Sequence, residues 1–401
     1  MFSYIKNGTI TDVQGIFATG IHAGLRVYKK DLALIYSEEK CTAAGVFTQN
    51  SVKAAPVQIN EETLVMQQGV RAILVNSKCA NACTGKEGIN AALEVREVLA
   101  KSLSVSPTEI LLSSTGVIGT MLPKNKMIKA LPTLTNTLSS DGGHSAAEAI
   151  LTTDTKTKSF AVRVGLSTGE ITLGAMCKGS GMIHPNMATM LGFIATDASI
   201  EHGMLQSLLT EAVNHSFNKI TVDSDTSTND MVLLLANGVS GIAIKEGSED
   251  KDRLYEALLD LCQTMAKSIV ADGEGAKKLV TVQVNLCTSE ADANKIAEAI
   301  ATSPLVKTAF HGEDPNWGRI IAAIGYSGVS VNAENICLYI GTHKIMDKGF
   351  SIHLNETIAK QILSEPEIIL TVEMNTGTHS TTWWTCDFSK EYISINADYR
   401  S

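Results

Sequence analysis

The sequence predicts a mixed α/β protein in layers, with an α/β body followed by a C-terminal α+β module. Three observations lead there. Short apolar runs of strand length alternate with amphipathic runs of helix length along the whole chain. Apolar residues make up 44% against 19% charged and only 5% aromatic, so the interior must be aliphatic and closely packed. At 401 residues the chain is too long for one small core, and two domains are expected.

Taken in order, RAILVN at 71–76 is a short apolar run and reads as a buried strand. Residues 88–103 place Ile89, Leu93, Val95, Leu99 and Leu103 on one helical face. ILL at 110–112 is the next strand and runs into SSTG, a glycine turn at the exit of a strand–helix–strand unit. Segments 159–166 and 171–177 bracket STGE and read as a hairpin. Residues 203–218 carry Met204, Leu205, Leu208, Leu209, Ala212, Val213 and Phe217 at helical spacing, and 231–236 is an apolar strand. A long amphipathic helix follows over 252–270 through Leu254, Leu258, Leu261, Met265 and Ile269. ADGEGAKK at 271–278 marks a boundary, giving domains 1–278 and 279–401. The second holds strand 279–286, helix 289–302, strands 335–340 and 367–373 and a last strand near 391–395, about 120 residues in all.

The formal charge is −9 and no Lys/Arg cluster stands out, which argues against a nucleic-acid partner. The N-terminus MFSYIKNGTITDVQG has no apolar run behind a basic start, and no stretch of about 18 apolar residues exists, so a cytosolic protein without a membrane span is expected. Eight cysteines are scattered. Only Cys79 and Cys83 are close, and no second pair with zinc-site spacing accompanies them, so no metal is expected. VDSDTSTND at 222–230 lacks the glycine and terminal glutamate of a calcium loop, and reads as a polar turn entering the strand at Met231. Glu274 lies between glycines in DGEG, but the spacing of a phosphate-binding loop is absent.

The chemistry concentrates in KGSGMIHPNMATMLGFIATD, residues 178–197. Gly179 and Gly181 allow backbone angles closed to other residues. Pro185 fixes its own φ and drives His184 from the helical region. A chain bent this tightly can present the Thr189 hydroxyl and the Ala188 carbonyl in strained geometry, as a self-cleaving threonine nucleophile requires. Taken alone, a threonine is ordinary, and a lysine such as Lys178 in a loop is usually solvated.

KGSGMIHPNMATML resembles the cleavage and nucleophile signature of the ornithine acetyltransferase (glutamate N-acetyltransferase) family of arginine biosynthesis. NSKCANACTG at 76–85, SSTGVIG at 113–119, VDSDTSTND at 222–230, ADGEGAKK at 271–278 and HGEDPNWGR at 311–319 resemble further family motifs in the same order, spanning nearly the whole chain. The first departs at Lys78 and Cys79, where the family more often has glycine and asparagine.

The resemblance implies an α/β/β/α sandwich of two packed sheets. It implies self-cleavage between Ala188 and Thr189 into chains 1–188 and 189–401, assembled as two copies of each. Thr189 would then be the nucleophile, and its freed α-amine, with an ordinary pKa of about 7.7–8.0, the base. Thr115 and Gly116 would form the oxyanion hole, and Thr152, Lys178, Thr189, Glu274, Asn396 and Ser401 would bind substrate. In ILTTDT the neighbouring Thr153 leaves that register open by one. The implied reaction is ping-pong transfer of acetyl from N-acetylornithine to glutamate, with acetyl-CoA a further donor in some members and no cofactor. His184 reads as a loop or core residue, since the amine already supplies a base. An N-terminal-threonine amidase or aminopeptidase is the alternative on the same nucleophile.

Overall fold

A computed structural model describes residues 1–184 and 190–398. The chain forms two compact units. The first comprises Met1–Gly179, 190–218 and Asp225–Ile269; the second comprises 180–184, 219–224 and 270–398.

Sixteen strands occur among the described residues. The first eight are β1 (Phe2–Tyr4), β2 (Ile16–Ile21), β3 (Leu32–Phe47), β4 (Val70–Asn76), β5 (Ile110–Ser114), β6 (Lys158–Leu166), β7 (Gly169–Lys178) and β8 (Leu191–Thr196). They are followed by β9 (Ile220–Thr221), β10 (Met231–Ala236), β11 (Leu279–Cys287), β12 (Cys337–Ile340), β13 (His343–Asp347), β14 (Ser351–Ile352), β15 (Glu367–Glu373) and β16 (His379–Cys386). The helices are α1 (Ala55–Val65), α2 (Gly85–Leu103), α3 (Lys124–Asn136), α4 (Gly143–Ala149), α5 (His202–Asn214) and α6 (Glu249–Ala271). Beyond them come α7 (Glu290–Thr302), α8 (Pro304–His311), α9 (Trp317–Gly325), α10 (Glu356–Leu363) and α11 (Lys390–Ala397).

The first unit is a nine-stranded sheet in the order β1-β6-β7-β8-β10-β3-β4-β5, with β2 also on β3. The sheet folds back on itself through β3. The first part of β3 pairs with β2 and β4 (Ile35 opposite Ala18 and Ile73), and its last part pairs with β10 (Ala44 opposite Leu234). The register breaks between Tyr36 and Cys41, where Glu38, Glu39 and Lys40 face solvent. The two halves then bury each other's inner faces: Ala33, Ile35, Ile73, Val75 and Leu111 share one cluster with Leu191, Phe193, Ala195, Met231 and Leu233. Outside the first half, Leu32, Leu34, Leu74 and Leu112 pack with Val95 and Leu99 of α2 and Leu131 of α3. Outside the second, α5 lies on β3 and β10, and α6 brings the Met265 carbonyl to 3.9 Å from the Cys177 thiol on β7. The order helices, sheet, sheet, helices is the α/β/β/α arrangement that the family resemblance implied.

The second unit carries a seven-stranded sheet, β14-β13-β12-β15-β11-β16-β9. One core holds Val280, Val282 and Val284 of β11, Ile296 and Ile300 of α7, Ile320 and Ile324 of α9 and Leu370 and Val372 of β15. Its edge strand β9 comes from 220–221, and its long segment opens at Val270, directly before ADGEGAKK. The alternating YISIN stretch read as a final strand is instead helix α11, capped by Ser389, whose hydroxyl accepts from Glu391 N. Strand β12 begins at Cys337 because 333–335 form a single 3-10 turn. No helix among the described residues is long and apolar enough to cross a membrane.

Candidate active site

Strand β7 delivers Lys178 at its C-terminal end, and β8 resumes at Leu191 as its antiparallel neighbour, pairing Lys178 with Leu191. Lys178 is only 2% exposed. Burying an ammonium is costly unless it is paired and hydrogen-bonded. Here Nζ donates to Thr152 Oγ1 at 2.7 Å and Thr115 Oγ1 at 3.5 Å, with Asp154 Oδ2 at 3.8 Å. Thus Thr152 and Thr115, far apart in sequence, meet on one cation.

Asp154 organises the cluster. Oδ1 accepts from Lys158 Nζ at 2.8 Å and Gly179 N at 2.7 Å, and Oδ2 accepts from Thr152 N at 3.0 Å. Burial pushes this carboxyl up, but the Lys178 and Lys158 ammoniums outweigh it and hold it well below the usual carboxylate range. Arg26 supports the same corner, donating from its guanidinium to Leu151 O at 2.7 Å and Thr152 O at 3.0 Å. Neither residue announces itself in the sequence. Asp154 stands two positions after Thr152, and only the shared turn of ILTTDT hints at a link.

Thr115 and Gly116 follow β5. The Thr115 N–H is already committed, donating to Asn76 O at 3.0 Å. Among the described residues, Gly116 N–H donates to no protein group. Thr115 can therefore offer its hydroxyl and Gly116 its N–H, so only one of the two backbone donors of this turn is open. Gly116 is required here: φ is +131°, and a Cβ would lie 2.2 Å from Lys78 C and 2.3 Å from Lys78 O. The packed loop 77–83 makes this close approach. Lys78 has φ +78°, Asn81 +49° and Cys83 +57°. A glycine at position 78 would adopt such an angle without strain.

Loop 226–230 ties these strands together. Asn229, 4% exposed, donates from Nδ2 to Ala80 O at 2.6 Å and to Ser114 O at 2.8 Å. Asp230, fully buried, accepts Met190 N at 2.9 Å on Oδ1, while Oδ2 finds no hydrogen-bond partner among the described residues. Burial raises the Asp230 carboxyl well above its ordinary value, against the Met190 N–H and the Lys178 charge. The expectation of a polar turn before Met231 thus describes this loop too modestly.

Ala188, Thr189 and Ser401 lie outside the described residues. In the second unit, Glu274 is 8% exposed and its Oε2 accepts from Asn396 Nδ2 of α11 at 2.7 Å. The Glu274 N–H donates to Ser180 O at 2.8 Å, and a Cβ on Gly181 would lie 2.5 Å from the carboxyl, so glycine there makes room for it. Two of the expected substrate-binding residues therefore contact each other directly. His184 Nε2 stands 3.6 Å from Glu298 Oε1, an ion-pair geometry in keeping with a loop role. In HGEDPNWGR, Trp317 packs on the core, Arg319 Nη1 donates to Leu305 O at 2.9 Å and His311 Nδ1 lies 2.7 Å from Asp387 Oδ2.

Residues 17–401 match the ArgJ family profile. The arginine biosynthesis bifunctional protein ArgJ of Caldanaerobacter subterraneus is 44% identical over 402 residues, covering 99% of this chain and all of the relative. The protein of the same name from Bacillus subtilis is 44% identical over 395 residues, covering 98% of this chain and 97% of the relative. Among solved structures, an ornithine acetyltransferase from Mycobacterium tuberculosis complexed with ornithine aligns at 33% identity. It covers 46% of this chain and 98% of that one, with a TM-score of 0.43. By the family match and the near-complete coverage of its relatives, the chain belongs to the ArgJ family.

Proposed function

We propose that this protein is a glutamate N-acetyltransferase of arginine biosynthesis that moves acetyl from N2-acetylornithine to glutamate through an ester on Thr189. The observation that supports it best is the buried Lys178 ammonium, bonded to Thr152 and Thr115 beside the Gly116 turn. Such a cation suits an α-carboxylate, and the turn beside it offers a hydroxyl and an N–H to an oxyanion.

In this reading the Thr189 hydroxyl first attacks the Ala188 carbonyl; an N→O shift and hydrolysis of the ester release chains 1–188 and 189–401. The freed α-amine then takes the hydroxyl proton as Thr189 attacks the acetyl carbonyl of N-acetylornithine. The tetrahedral oxyanion is held by Thr115 and Gly116, and its collapse expels ornithine, which receives the proton. Glutamate enters, its amine attacks the acetyl ester, and N-acetylglutamate leaves while Thr189 regains its hydroxyl. On the family resemblance, Glu274, Asn396 and Ser401 are further substrate contacts, with Glu274 suited to the cationic side chain of ornithine. Acetyl-CoA is a second donor to glutamate, as the word bifunctional in the relatives' names suggests. The protein works in the cytosol as two copies of each fragment and needs no cofactor.

The test is to supply N-acetylornithine with and without glutamate. With glutamate present, ornithine and N-acetylglutamate should form in equal amounts over many turnovers; without it, ornithine release should stop at about one equivalent per enzyme. Acetate released at the same rate without glutamate would overturn the transferase in favour of an amidase. Acetyl-CoA as sole donor should also yield N-acetylglutamate; none formed would leave a single donor.

A further inference from the structure

Lys307 of α8 has no part in the reaction as set out above, yet it is only 3% exposed. Its Nζ donates to Thr385 Oγ1 at 2.7 Å, to the Cys386 carbonyl and to Cys386 Sγ at 3.6 Å. Among the described residues, no carboxylate stands within ion-pair distance of it. The nearest acid in sequence to that strand end, Asp387, is engaged elsewhere. Its Oδ1 accepts from Lys277 N at 2.7 Å and Lys278 N at 2.9 Å, and its Oδ2 lies 2.7 Å from His311 Nδ1. Thr385 Oγ1 donates onward to Ala301 O at 2.9 Å, which leaves it an acceptor for the lysine. A buried ammonium is ordinarily matched by an acid. Here the group set against it is a thiol, itself 1% exposed. Burial pushes the Cys386 thiol up, and the Lys307 charge works against that rise. The backbones hold the two residues together: Phe388 N donates to Lys307 O at 3.2 Å, and Cys386 ends β16 opposite Leu279 of β11.

We propose that Lys307 and Cys386 form an oxidative cross-link, a covalent N–O–S bridge between Nζ and Sγ, with dioxygen as the oxidant. Ammonium, thiol and dioxygen give the bridge, one water and one proton. The N–O and O–S bonds form, and the S–H bond, two N–H bonds and the O–O bond break. One ammonium proton goes to solvent; the other N–H hydrogen and the thiol hydrogen leave with the second oxygen as water. Nitrogen and sulfur each give up two electrons, and dioxygen takes all four. A single bridging oxygen spans slightly less than the present separation, so closure asks for a rotamer adjustment of the lysine and not for a backbone shift. A direct sulfur–nitrogen bond would need a far closer approach. Dioxygen is small and uncharged, so burial does not bar it as it bars an ionic oxidant. The bridge pins α8 to β16. The same sulfur lies against the Glu274 turn, where a Cβ on Gly273 would stand 3.2 Å from it, so closure also stiffens that turn. None of this depends on acetyl transfer.

The experiment is intact-mass measurement on full-length wild-type protein, purified without thiols and divided between oxygen-saturated buffer and a dithiol. The oxidised sample should gain about 14 Da, one oxygen added and two hydrogens lost, and the dithiol should reverse it. Trypsin does not cut after a bridged lysine, so residues 296–319 should stay whole and travel joined to 361–390. The oxidised protein should also melt higher by about 5 °C or more, because the bridge closes a span of 79 positions. Cys386→Ala and Lys307→Met should show neither the gain nor the shift. If these variants do not fold, the joined peptides of the wild-type protein decide alone. An unchanged mass under oxygen overturns the proposal, and so does a gain of about 16 or 32 Da held on the cysteine peptide, an ordinary sulfenic or sulfinic acid. A gain of about 14 Da on a single unlinked peptide overturns it as well.

Discussion

Asp154→Asn tests the charge cluster that holds Lys178. The wild-type carboxylate is the counter-ion of two buried ammoniums, Lys158 at 2.8 Å and Lys178 at 3.8 Å. Removing one partner of a buried pair leaves an uncompensated charge and typically costs about 3–5 kcal/mol. An amide also has only one acceptor oxygen. Oδ1 serves Gly179 N and Oδ2 serves Thr152 N, so whichever way the amide turns, one backbone N–H is orphaned, at about 1–3 kcal/mol. The expected loss is therefore about 4–6 kcal/mol, allowing for overlap, against a total of about 5–15 kcal/mol for a folded protein. The assay is urea unfolding in a Thr189→Ala background, so that one intact polypeptide is compared with another. Adding Lys158→Met should recover part of the loss, because one of the two stranded cations is gone. The pH dependence follows from the same carboxyl. Its folded pKa lies below the unfolded value of about 3.9, so its stabilisation is complete above that value and is lost as pH falls through the depressed one. A loss below about 1 kcal/mol, with no recovery in the double variant, would refute the counter-ion argument.

Thr189→Ala should leave a single chain of full mass on a denaturing gel and abolish acetyl transfer; an active variant would end the nucleophile assignment. Gly116→Ala should cost about 2–4 kcal/mol in thermal or urea unfolding and lower kcat, because a Cβ 2.2 Å from the Lys78 carbonyl carbon forces the open N–H out of place. Lys78→Gly should stabilise by up to about 1 kcal/mol, since the lysine now sits at φ +78°; a destabilised variant would show that its side chain contributes more than its backbone loses. Lys178→Met should raise KM for N-acetylornithine by about 10²-fold or more while processing continues, which a coupled assay and a gel read separately.

The sequence made the buried strands plain and the bent one obscure. Residues 72–75 (AILV), 110–112 (ILL) and 231–236 (MVLLLA) are apolar without interruption because both faces of β4, β5 and β10 are covered. Strand β3 is hidden in the sequence because Ser37-Glu-Glu-Lys40 breaks its pattern at the bend, where the chain must face water to pass from one half of the sheet to the other. The Tyr-Ile-Ser-Ile run at 392–395 alternates like a strand, but Ser389 starts a helix that leaves Ile393 63% exposed. Short apolar runs cannot be sorted by periodicity alone. At the site, Lys178, Thr115 and Thr152 were legible from a long motif resemblance, and folding brings them to one point. Asp154, Asn229 and Asp230 were not, because each is a common polar residue whose role is set by partners that folding brings together, up to 149 positions away for Asn229.

The strand order has a consequence for the proposed cleavage. Strands β3 and β7 precede position 188, whereas β8 and β10 follow it, and the sheet runs β7-β8-β10-β3. The later piece is threaded between two strands of the earlier one and hydrogen-bonded to both. If the chain is cut as proposed, scission would liberate nothing: the halves should co-elute under native conditions and part only when the sheet is melted. Once melted, they must find each other by diffusion, so recovery becomes a second-order process that dilution defeats. The protein would make itself in one piece and could not easily be remade from two.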